Sequence, residues 1–174
     1  MAALVDIVVV RADRGPLLYR EPRISRGRTF DLLKFRTLRA AVLATAGGHA
    51  GPLERDSSNL TWAGRRLLKP WYLDEFPQLF NVLRGDISLV GPRPWPPQLV
   101  ERQVAEGQEY RNLIVAGLTG SAQVTKGLGR SYTDLDLLYV EKRRTLGGWS
   151  LVRYDLGILR QTVAVIARGE GLNY

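Results

Sequence analysis

Apolar and polar positions roughly alternate along Phe30-Asp31-Leu32-Leu33-Lys34-Phe35-Arg36, and the alternation predicts a strand. A turn at Arg14-Gly15-Pro16 precedes Pro16-Leu17-Leu18-Tyr19-Arg20, which reads as a shorter strand. Residues 37–45 read as helix. Residues 46–61, with their glycines, a proline and Asp56-Ser57-Ser58-Asn59, are the softest stretch of the chain. A helix follows, starting near residues 72–76, because Pro77 is tolerated only in a first turn, and Gly85 is a natural stop. Asp74 and Glu75 then lie in that first turn, where the helix dipole favours negative charge. Four prolines stiffen residues 91–97, and residues 98–112 read as a polar amphipathic helix. Thr133, with Asp136 three residues on, predicts a capped helix running to about Arg144 and ended by Gly147-Gly148. In the last helix Val152, Leu156, Leu159, Val163 and Ile166 recur at spacings of four and three, forming one apolar face expected to pack in the core. Arg153, Arg160 and Arg168 lie off that stripe. With no repeat and no low-complexity linker, residues 1–174 read as a single compact domain, α+β and mostly helical, with a small N-terminal strand element.

Composition narrows the chemistry. The 174 residues are 45% apolar and 24% charged, a globular balance. There is no cysteine, which excludes disulfides, thiolate nucleophiles and cysteine zinc sites. The lone histidine, His49, excludes a multi-histidine metal site. Any metal would need oxygen ligands, which points to a hard ion such as magnesium. The net charge of +8 attracts phosphates, whether of nucleotides, nucleic acid or anionic lipid, or serves solubility alone. Residues 1–10 are apolar but interrupted by Asp6, and read as a buried strand or the end of a helix. No stretch reaches the ~18–20 apolar residues of a membrane-spanning helix.

Within this frame the adjacent acids Asp74 and Glu75 are candidates for work on a phosphate. Neighbouring helical carboxylates point about 100° apart, so both can meet one metal or phosphate. Aspartate is a competent nucleophile toward phosphorus when cations offset the charge of its target. The competing reading is a stabilised helix N-terminus. Lys34 and Arg36 alternate on one strand face and so could share an anion. Arg93, held between two prolines, is pre-set for a bidentate phosphate contact. Glycine-rich segments at 117–124 and 126–130 allow close backbone approach to a phosphate, but carry neither a dinucleotide fingerprint nor a P-loop.

The motifs taken in order are far more specific. Lys34-Phe35-Arg36-Thr37, then Leu73-Asp74-Glu75-Phe76-Pro77-Gln78-Leu79-Phe80-Asn81-Val82-Leu83-Arg84-Gly85-Asp86-Ile87-Ser88-Leu89-Val90-Gly91-Pro92-Arg93-Pro94, resembles the bacterial sugar transferase family. These are monotopic polyprenyl-phosphate phosphoglycosyl transferases that prime surface-glycan synthesis. Gly117-x-Thr119-Gly120-x-x-Gln123-Val124, Asp136-Leu137-Leu138-Tyr139-Val140-Glu141 and Asp155-Leu156-x-Ile158-Leu159 extend the resemblance across residues 15–171. It implies transfer of a sugar-1-phosphate from a UDP-sugar to polyprenyl phosphate through a covalent intermediate on Asp74. Glu75 would help hold magnesium with Asp74 or assist proton removal. Lys34, Arg36, Arg93, Gln123 and Arg130 would contact substrate or phosphate. The family's N-terminal hydrophobic hairpin has at most a remnant in residues 1–10, so the expected location is peripheral, on the cytoplasmic face of the bacterial membrane. The family's hydroxyl-bearing pair before Leu-Asp-Glu is replaced by Trp71-Tyr72, which removes a hydroxyl cap.

Two other readings compete: an inactive scaffold on the same fold, and a basic module that binds membrane or nucleic acid. The basic residues are scattered and show no recognition-helix or RNA-binding motif, so nucleic acid is not expected as a partner.

Overall fold

The structure, a computed structural model, describes residues 13, 15–47, 50–125 and 131–168. The chain divides into two compact units interleaved in sequence: Met1–Pro22, Asp31–Phe80 and Ile166–Tyr174 in the first, Arg23–Phe30 and Asn81–Val165 in the second. The two-stranded sheet of β1 (Leu18–Ser25) and β2 (Arg28–Phe35) is the expected N-terminal strand element, each strand longer than its alternating stretch. Arg26 and Gly27 connect them with φ of 50° and 71°, the doubly positive turn that matches strand twist.

In the first unit α1 (Ala40–Leu43) is only the centre of the helix expected over 37–45. The stretch 46–61 is not merely loop: it carries α2 (Gly51–Glu54), with proline at its start, and a 3-10 turn at Ser57–Asn59 capped by Asp56. Leu38, Ala50 and Leu60 form one apolar cluster, with Tyr19, Val42, Leu43 and Leu53 against it. Ala63 and Leu68 form a second, with Leu17, Phe35 and Leu73. A π-helical turn spans Gly64–Leu68 and a 3-10 turn Leu73–Glu75.

The helix α3 (Gln78–Arg84) stops before Gly85, as its sequence predicts, but begins only after Pro77 and not near residues 72–76, so Asp74 and Glu75 lie in the separate 3-10 turn before it and not in its first turn. In the second unit β3 (Ser88–Val90) pairs in parallel with β4 (Gly117–Thr119), Ser88 opposite Gly117 and Val90 opposite Thr119. The amphipathic stretch 98–112 is broken in two, α4 (Pro97–Ala105) and α5 (Tyr110–Leu113), around Gly107 at φ 84°. After α6 (Ser121–Val124) comes α7 (Tyr132–Thr145), which is capped by Ser131 and not by Thr133. The Ser131 side chain accepts from the Thr133 backbone N–H, whereas Asp136 is buried and engaged elsewhere. The core joins Val90, Tyr110, Ile114, Tyr139 and Ile158. Burial and the neighbouring Asp155 push the Tyr139 hydroxyl up to about 12, so it stays a donor, to the Val90 carbonyl at 3.2 Å.

The last helix, α8 (Gly148–Ala167), turns the other way from its expected packing. Val152, Leu156, Val163 and Ile166 are exposed, while Ile158 is buried and Tyr154 and Leu159 pack on the core. No helix of the described residues is long and apolar enough to cross a membrane.

Candidate active site

The site is built in the first unit around Lys69. Gly64 lies against the Thr37 carbonyl, where an added Cβ would sit 2.5 Å from the oxygen, so only glycine fits without movement. Thr61 braces the same point, donating to Thr37 O at 3.1 Å and accepting from Gly64 N at 2.9 Å. The π turn closes with Lys69 N donating to Gly64 O at 3.0 Å. Such turns are rare and concentrate at functional sites. Here it is followed by a buried ammonium group. Lys69 Nζ meets Glu54 Oε2 at 2.5 Å and Asp74 Oδ2 at 3.2 Å. Thr37 Oγ1 donates to the other Glu54 oxygen at 2.8 Å.

Asp74 is only 2% exposed. It follows Tyr72, whose φ of 53° is left-handed and whose side chain makes no cap, in keeping with the missing hydroxyl. Burial pushes the Asp74 carboxyl up; Lys69 pulls it back, Glu75 raises it, Lys34 lowers it and Glu54 raises it, leaving a net rise. Glu54 goes the other way. Burial raises it too, but the charges of Lys69 and Lys34 and hydrogen bonds from Lys69 and Thr37 hold it below the ordinary glutamate value.

Of the cationic candidates, Lys34 belongs to this buried group. Its Nζ lies 3.3 Å from Glu21 Oε2, and the other Glu21 oxygen accepts from Ala50 N at 3.0 Å. Arg36 is engaged elsewhere. The strand ends at Phe35, the alternation stops there, and the Arg36 guanidinium is committed to Asp13 and to the carbonyls of Pro16 at 2.8 Å and Leu38 at 3.0 Å. Lys69 and Glu54 carry the arrangement and were absent from the candidates. The signal open to sequence was the ammonium of Lys69, five residues before Asp74; nothing marked Glu54 inside its Gly-Pro stretch.

Arg93 and Gln123 lie in the second unit. The Arg93 carbonyl accepts from Arg111 Nη1 at 2.5 Å. Arg111 stacks 4.0 Å over Trp95 and pairs with buried Asp136, a guanidinium anchor that sequence reading missed. The Gln123 amide nitrogen and oxygen are both buried without a hydrogen-bond partner among the described residues. A buried amide in that state costs about 1–3 kcal/mol and suits a ligand contact. Arg130, His49 and the apolar residues 1–10 lie outside the described residues.

The donors present fit a hard cation. Glu21, Glu54 and Asp74 face the two ammonium groups of Lys34 and Lys69, leaving a carboxylate in excess, and Glu75 adjoins it half-buried. Among the described residues no group of three or more His, Cys, Asp or Glu side chains forms a cage. Magnesium in general keeps several waters and takes substrate phosphates as ligands, so it needs no full protein cage.

A buried acid in a 3-10 turn, the lysine set against it and the Lys34 strand come together on an α+β fold. The chain belongs to the bacterial sugar transferase family, whose pattern it matches over residues 1–169. It is 38% identical to the UDP-glucose:undecaprenyl-phosphate glucose-1-phosphate transferase of Caulobacter vibrioides, over 92% of this chain and 60% of that protein. It is 36% identical to the uncharacterized sugar transferase EpsL of Bacillus subtilis, over 97% of this chain and 79% of that protein. It is 34% identical to the undecaprenyl-phosphate galactose phosphotransferase of Salmonella typhimurium, over 93% of this chain. The chain spans 36% of the length of that last relative.

Proposed function

We propose that this chain transfers a sugar-1-phosphate from a UDP-sugar to a membrane-borne polyprenyl phosphate, with Asp74 as nucleophile. The observation that carries the reading is Asp74 itself, buried in a 3-10 turn with Oδ2 against Lys69. The named activities of its relatives on UDP-sugars and undecaprenyl phosphate support the substrate pair. Lys69 orients the carboxylate and leaves Oδ1 to reach phosphorus. That oxygen bonds to the sugar-bearing phosphorus as the bond to the UMP oxygen breaks. UMP departs, leaving a phosphosugar on Asp74. An oxygen of polyprenyl phosphate then bonds to the same phosphorus, the aspartyl bond breaks, and a polyprenyl-diphosphate sugar forms. Glu75 and Asp74 would hold magnesium, which would supply charge neutralisation for the phosphates. Lys34 and Lys69 keep the buried carboxylates from accumulating charge. Gln123 and Arg93 are substrate contacts, and the enzyme works at the cytoplasmic membrane face.

The test combines the protein with magnesium, polyprenyl phosphate and a panel of UDP-sugars, and measures UMP release. A single productive sugar is expected, together with loss of release in Asp74→Asn and on chelation of magnesium. Omitting the acceptor should leave a phosphosugar mass adduct on the wild-type protein only. Full UMP release by Asp74→Asn would sink the nucleophile assignment.

A further inference from the structure

The inward side of the chain from Asp74 through α3 is polar. Backbone hydrogen bonds from Phe76 N to Leu73 O, Leu79 N to Phe76 O and Phe80 N to Pro77 O, at 3.2, 3.1 and 3.0 Å, carry the helical winding from the 3-10 turn into α3. Asp74, Gln78 and Asn81, four and three residues apart, share that inward side and are all buried, at 2%, 3% and 0% exposure. Two of the three are matched. Asp74 meets Lys69, and Asn81 Nδ2 donates to Asp86 Oδ2 at 2.9 Å. Gln78 is not: its amide nitrogen is buried without a hydrogen-bond partner among the described residues. Long side chains on a helix lean toward its N-terminus, which carries the Gln78 amide back toward the Asp74 turn. Glutamine is seldom fully buried, and an unpaired buried donor costs stability that leucine or methionine at the same place would not. Such a group calls for a reason.

We propose that the Gln78 amide N–H is a donor to the phosphoryl group that Asp74 attacks. The proposal rests on Asp74 as nucleophile, and adds a residue that takes up the charge its attack creates. As the Asp74 oxygen closes on phosphorus, negative charge gathers on the non-bridging oxygens. A donor fixed beforehand in a site closed to water stabilises that charge without reorganising. Gln78 keeps its protons and donates a hydrogen bond only. Its chemistry suits a site whose carboxylates already outnumber its ammonium groups. A lysine or arginine at 78 would pair with Asp74 and weaken it as a nucleophile, and an acid would repel both Asp74 and the phosphate. A neutral amide donates without doing either.

The test compares Gln78→Met and Gln78→Leu with wild type in two measurements. In urea titration both variants should keep the wild-type midpoint or exceed it, since an unpaired donor leaves the interior. In UMP release both should lose kcat by about a hundredfold, the scale of removing one such donor, with KM for the UDP-sugar changed less than about threefold. Without acceptor, the phosphosugar adduct should still form on both, slowed by the same factor. Gln78→Glu, which sets a carboxylate where the phosphate oxygens arrive, should lose more than either. Wild-type kcat in both apolar variants overturns the proposal. So does a midpoint that falls in both, because the amide would then be holding the fold, and so does a loss carried wholly by KM. Wild-type protein that releases no UMP with any sugar removes the transferase reading and this assignment together. Wild-type release that the Gln78 variants match removes this assignment alone.

Discussion

Lys69 stands between two carboxylates, Glu54 and Asp74, and all three are removed from water. Deleting one member of a buried charged group leaves the others uncompensated, at about 3–5 kcal/mol. Lys69→Met should therefore lower unfolding free energy by about that amount in urea titrations, and cut UMP release because Asp74 loses its orienting partner. Lys69→Arg keeps the charge and should recover stability more fully than activity. A loss below about 1 kcal/mol in Lys69→Met would mean the carboxylates are not balanced by this ammonium. At this scale the sequence was legible where chemistry follows chain order. Asp74-Glu75 stand out because they are adjacent acids in a specific flanking block, although proline and glycine bound the helix after them and not the turn that holds them. Lys69 and Glu54 were not legible, because a π turn and an apolar cluster around Ala50 bring them together. The alternating pattern runs to Arg36, one residue past the strand's end at Phe35, where the guanidinium turns to Asp13 and two carbonyls.

Elements repeat the lesson with periodicity in place of reach. The spacing of Val152, Leu156 and Val163 in α8 does define one helix face, but spacing alone does not say what that face meets. Ile158, four residues from Tyr154, is the position that enters the core. The start of α7 was placed two residues late, because Thr133 with Asp136 satisfies the capping pattern while Asp136 is claimed by Arg111 and Tyr110. Ser131→Ala should thus cost about 0.5–2 kcal/mol, and Thr133→Ala less, in the same urea titration. The parallel pair β3–β4 gives a sharper expectation. A Cβ at Gly117 would sit 2.1 Å from the Gly91 nitrogen, so Gly117→Ala must separate backbones that carry the pairing. It should destabilise more than the cap deletion, and a smaller effect would show that the strands yield.

For the molecule as a whole, the α+β class and the N-terminal strands follow from local patterns. The interleaved units do not, because a stretch near residue 25 joins residues beyond 90 through contacts such as Ile24 N to Trp95 O. The buried acids answer pH with opposite sign, Asp74 and Asp136 in one direction and Glu54 in the other. In the second unit, burial raises Asp136, with Arg111, Tyr110 and their hydrogen bonds offsetting only part of the rise. Between 3.8 and that raised value the folded state holds more protons than the unfolded one, so stability falls as pH climbs through the window. Asp155 acts with the same sign. In the first unit Glu54 is held below 4.5, so between its folded value and 4.5 the unfolded state holds more protons. Stability is lost there as pH drops. Descending from neutral, the urea midpoint should first rise and then fall. Asp136→Asn should reduce the rise, to which Asp74 and Asp155 also contribute, and Glu54→Gln the later fall; in both the slope against pH is the readout, since each change also lowers stability outright. A wild-type midpoint that only declines from pH 7 downward would mean that Arg111 keeps Asp136 ionised in the fold, and that its burial is fully repaid by that one guanidinium.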